Sequence, residues 1–285
     1  MSRVFVLLLA ALVHLAAQPG ANFARAKLAY DRTNYDEALG LLAKTTENSL
    51  RVLELKGKAL FMKGDFKHAA DVFELAVKAD PRNSVLQHWT GKAYGRRAET
   101  SSMFTAPGHA SKARQYFERA VELNPKNPEA LNDLFEFYLQ APGFLGGGMD
   151  KASALIEKIA ALDPAERHYA QARVAEEKKE WQAAETQLRR AADLAPLQVG
   201  RLLDLGRFLA KRGKLNESEV AFQRAERIEP NSPKVWYARA QTYIESGKNL
   251  PEAKKLLEKY LTANLTPEDH TKEEARKLLA KANGA

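Results

Sequence analysis

The chain has 285 residues, 45% hydrophobic and 28% charged, with a formal net charge of +8 and no cysteine. Without thiols there are no disulfides, no thiolate metal sites and no cysteine nucleophile. The length leaves room for two compact domains, and the modest positive charge alone does not define a nucleic-acid surface.

The N-terminus differs in kind from the rest. Arg3 is followed by an uncharged apolar run, Val4–Ala17, and then by Gln18-Pro19-Gly20. A short basic start, an apolar stretch and a small-residue end predict a secretory signal peptide over 1–17, with Leu15-x-Ala17 as the cleavage site and a mature start near Gln18. The run is short for a membrane span, which takes about 20 residues. An uncleaved inner-membrane anchor facing the periplasm is the alternative.

From there a helix-pair signature recurs seven times. Its clearest instance is Gly57-x2-Leu60-x3-Gly64-x-Phe66-x2-Ala69-x3-Phe73-x2-Ala76-x4-Pro81. Small residues at Gly57, Ala69 and Ala76 let two helices approach closely. Gly64 permits the turn, Leu60, Phe66 and Phe73 fill the remaining space, and Pro81 stops the second helix. The small residue opening each second helix returns as Ala38, Ala69, Ala113, Ala152, Ala184, Ser218 and Ala253. Four positions on stands a large apolar residue: Leu42, Phe73, Phe117, Ile156, Leu188, Phe222 and Leu257. Phe135 replaces the small residue of the fourth first helix, which predicts a splayed fourth pair.

This pattern resembles the tetratricopeptide repeat, a unit of about 34 residues. The resemblance implies an all-α, right-handed superhelical solenoid of about seven helix pairs plus a C-terminal capping helix. The repeats read as about 19–49, 50–83, 84–127, 128–164, 165–198, 199–232 and 233–267, a solenoid over 18–267 followed by a capping helix and tail over 268–285. In that helix Ala275, Leu278, Leu279 and Ala282 share one stripe, with Thr266 or Asp269 expected as its cap.

Two repeats are long between their own helices. Gly91 to Ala113 spans 22 residues and Phe135 to Ala152 spans 17, where the pattern has 12. Both extra segments carry Ala-Pro-Gly, at 106–108 and 141–143, which predicts type II turns. Equivalent loops of consecutive repeats lie side by side, so the insertions are expected to form a lip offering Met103, Phe104, Phe144 and Leu145.

Catalytic signatures are absent. Gly146-Gly147-Gly148-Met149-Asp150-Lys151-Ala152 lacks the spacing and hydroxyl of a phosphate loop, and Asp150 reads as a helix N-cap. No His-Glu-x2-His or Gly-x-Ser-x-Gly occurs. Carboxylates are spread along helices rather than paired. No cofactor or metal is expected, and the chain reads as a non-enzyme.

In tetratricopeptide proteins the first helices line a concave groove, with ligand contacts from their fifth and ninth positions. Carried over, the resemblance implies a groove at Lys58, His88, Lys92, Tyr169, Arg173, Arg207 and Tyr237. These suit a protein or peptide partner bearing acidic or carboxylate groups. Acidic residues concentrated in the fourth repeat interrupt any basic stripe, which argues against nucleic acid. Peripheral contact with an anionic membrane is compatible with the basic second and third repeats. The expectation is an exported, periplasmic interaction scaffold of the cell envelope. The other readings are an accessory subunit of an envelope enzyme complex and a nucleic-acid-binding helical repeat protein. Oligomeric state is open.

Overall fold

A computed structural model describes residues 20–45 and 49–284. The signal-peptide expectation at 1–17 lies outside them. Among the described residues the regular structure is helical, with no strand. The helices are α1 (Ala21–Asp31), α2 (Tyr35–Ala43), α3 (Leu50–Met62), α4 (Phe66–Ala79), α5 (Ser84–Thr100), α6 (Ala106–Leu123), α7 (Pro128–Gln140) and α8 (Met149–Ala160). They continue as α9 (Pro164–Glu177), α10 (Trp181–Leu194), α11 (Val199–Lys211), α12 (Leu215–Ile228), α13 (Pro233–Ser246), α14 (Leu250–Thr262) and α15 (Lys272–Ala282).

Local chemistry sets these boundaries. Asp65, Asn83, Asn127 and Asp163 accept backbone N–H groups in the first turns of α4, α5, α7 and α9. Each satisfies donors that a helix start leaves orphaned. Prolines enter the first turns of α6, α7, α9, α13 and α14, where no N–H is required.

Odd-numbered helices α1 to α13 pack on the even-numbered helix that follows, and each even one on the next odd. The seven hairpins and α15 thus form a solenoid in which packing links near neighbours in sequence. The buried side chains divide accordingly into four successive clusters with no common centre. The small–large pairing accounts for the seams. Gly57 faces Phe73 so closely that a methyl there would sit 2.6 Å from the ring, and Gly91 stands in the same relation to Phe117. Ser218 keeps the small position because its hydroxyl donates to the Gly206 carbonyl at 2.7 Å.

Phe135 is buried among Leu131, Leu134 and Leu155 in one cluster, and the α7–α8 pair it belongs to is the most lightly packed of the seven hairpins. Other expectations are corrected. Neither Ala-Pro-Gly makes a type II turn, since Gly108 and Gly143 both lack positive φ. Ala106-Pro107-Gly108 begins α6, because proline fits a first helical turn. Pro142 leads into a 3₁₀ turn, Gly143–Leu145. The third repeat's extra residues therefore mostly lengthen α5 and α6. Asp150 lies inside the first turn of α8 and Gly148 is the cap residue. Thr271, not Thr266 or Asp269, caps α15 through a capping box with Glu274. Thr266 and Asp269 bond to each other in the turn before it.

The ends of the array are in electrostatic reach. Burial first, then the carboxylates of Asp269 and Glu274, push the Tyr35 phenol up to about 12. The first hairpin therefore lies near the C-terminal cap.

Candidate functional site

The side chains implied for the groove do not form one open basic row. Arg173 of α9 donates to Glu136 of α7 at 3.0 Å and to Glu176 at 3.2 Å. Arg207 of α11 lies 3.4 Å from Asp204. Lys58 pairs with Glu54 one turn away and sits over the Trp89 ring. Lys92 has aromatic faces instead, with its ammonium 4.5 Å from the Trp89 centroid and 5.9 Å from that of Phe61.

Two groove assignments are corrected outright. His88 is 2% exposed and its Nε2 lies 2.7 Å from Asp133 Oδ2, so it clips α5 to α7. A buried polar ring needs such a partner, and the partner removes it from ligand binding. Tyr237 is 7% exposed, with the His270 ring stacked 3.9 Å from its own. The segment leading into α15 thus covers the last first-helix face.

Tyr169, Arg173 and Arg207 do come together. They line a 550 Å³ hollow across α7, α9 and α11, beside Asp133, Glu136, Glu166, Glu176, Asp204 and Lys211. Carboxylates outnumber cations there. Burial pushes the Glu176 carboxyl up against the pull of Arg173, and the Asp204 carboxyl up against that of Arg207. The hollow is therefore a partly dehydrated, internally paired surface with an acidic balance. The sequence showed an acidic fourth repeat but not the partners of its carboxylates, because Glu136–Arg173 and Arg201–Glu166 join neighbouring repeats, a spacing no local pattern shows. The pair Arg173–Glu176, three residues apart, was readable.

The insertions line a second cavity, of 590 Å³, between α5 and α7. Met103 from one and Leu145 from the other share its wall with Phe61, Phe117, Phe137 and Lys92. Phe104 and Phe144 stand outside it at 88% and 81% exposure, and Met103 is 79% exposed. Local packing holds the parts in place. Tyr94 and Lys112 both donate to Glu74 Oε1, at 2.7 and 3.0 Å, bracing α5 and α6 on α4. The glycine run after Leu145 is structural. A Cβ on Gly147 would sit 1.8 Å from the Ala141 carbonyl oxygen, so only glycine lets the chain fold back on the end of α7. Lys151 donates to the Gly146 carbonyl at 2.9 Å, closing this turn.

Among the described residues no group of three His, Asp or Glu side chains is arranged to hold a metal, and no helix is long and apolar enough to cross a membrane.

No curated protein matches this sequence. Solved structures show the fold relationship. One is a tetratricopeptide repeat protein of Parabacteroides merdae, at 15% identity over 92% of this chain and 97% of that one, with a TM-score of 0.57. Another is a thermophilic tetratricopeptide repeat protein of Thermus thermophilus, at 19% identity over 66% of this chain and 97% of that one, with a TM-score of 0.54. A human IFIT1 dimer with PPP-AAAA matches 85% of this chain at 19% identity and a TM-score of 0.56, and the match spans 54% of that protein. At these identities the likeness is one of fold. Family models described as the tetratricopeptide repeat match residues 23–84 and 169–233, and residues 108–127, about half of the sequence in all. With the recurring Gly57–Phe73 type of seam and the hairpin stacking, these matches place the chain in the tetratricopeptide repeat family.

Proposed function

We propose that this protein is a non-catalytic scaffold, exported from the cytoplasm, that holds a segment of a partner protein in assembly, secretion or maintenance of the cell envelope. Tetratricopeptide repeat proteins generally mediate protein–protein interactions, and the observation that carries the reading here is the hollow across α7, α9 and α11. Its walls are fixed by ion pairs between repeats, yet the chain leaves it unfilled. A rigid concave surface holds a segment at small entropic cost, because few of its side chains must be ordered on binding.

The charge of the hollow narrows the partner. Carboxylates dominate it, so an acidic segment suits the Lys58–Lys92 end better than the α7–α11 part. Export rests on the Arg3–Ala17 pattern.

Crosslinking in the native envelope followed by purification tests the interaction. The double charge reversal Arg207→Glu, Lys211→Glu deepens the acidic balance of the hollow and is expected to change capture through it, strengthening the hold on a basic segment, while helicity stays intact. Unchanged capture would remove the hollow from the account. N-terminal sequencing of the secreted product tests export, with a start near Gln18 expected. A chain that keeps Met1 or Ser2 and stays with the membrane would make this an anchored scaffold instead.

A further inference from the structure

We draw no further inference here: the strongest candidate, the apolar lip that Met103, Phe104 and Phe144 form on the two insertions, is an exposed surface patch, and nothing in the structure shows what covers it.

Discussion

Gly57 and Phe73 show how much of this molecule is decided by single contacts. The glycine gives up helix propensity, worth about 1 kcal/mol against alanine, so that an aromatic ring can lie on the backbone of the neighbouring helix. Gly57→Ala and Gly91→Ala are each expected to lower stability by about 1–3 kcal/mol, because a methyl would sit 2.6 Å from a buried ring. Gly40→Ala, where the methyl meets nothing within 4 Å, is expected to gain about 0.5–1 kcal/mol. Urea melts decide this, and equal stability of Gly57→Ala and Gly40→Ala would contradict the seam account. These positions were legible in the sequence because the small and large residues recur in register. The polar contacts were not. His88 and Asp133 are 45 residues apart, and neither spacing nor residue type announces the pair. Asp133→Ala is expected to cost about 1–3 kcal/mol, since it strands a buried ring nitrogen, whereas truncating Lys92 at the cavity wall should leave the melting midpoint nearly unchanged.

At the scale of elements the helix pairs were readable and their insertions were misread. Hydrophobic period and small-residue register report the faces that pack, and these survived intact. Ala-Pro-Gly reports only local backbone preference. Proline suits both a turn and a first helical turn, and at Pro107 the helix won because α6 could gain contacts with α5. The last helix carries its own switchable element. Glu274 belongs to the capping box of α15, and the His270 imidazole, then bonds from Thr271, hold its carboxyl at about 2 against an ordinary 4.5. The folded state therefore favours the charged form. Its stabilising contribution is complete above about pH 4.5 and fades as pH falls toward 2. Acid in that window is expected to loosen α15 before the hairpins melt. Proteolysis at the 263–271 segment should rise as pH falls, using an acid-active protease. Glu274→Gln, whose amide oxygen can still accept from the Thr271 N–H, should lose that pH dependence. A wild-type chain whose cleavage is flat between pH 5 and 2 would rule out this role for the carboxyl.

Over the whole molecule the packing is local but the curvature is not. Each hairpin touches its neighbours in sequence, so the stability of the array is a sum of repeat and seam contributions. A family resemblance supplies that much. It does not say how far a particular array curls, because curvature accumulates from small rotations at every seam. Here the curl brings Asp269 and Glu274 close enough to act on Tyr35, and Tyr35 in turn on Tyr260. The first hairpin and the segment before α15 thus stand within electrostatic range of each other. The chain has no native cysteine, so a single engineered pair reports on this directly. Asp36 and Glu268 are both exposed and adjoin the residues involved. The double variant Asp36→Cys, Glu268→Cys, treated with a short bismaleimide at low protein concentration, is expected to give an intramolecular crosslink. Adding Glu274→Ala, which removes the box that holds α15, should reduce the yield. If the pair reacts only between molecules, the first hairpin and the segment before α15 stand apart in solution.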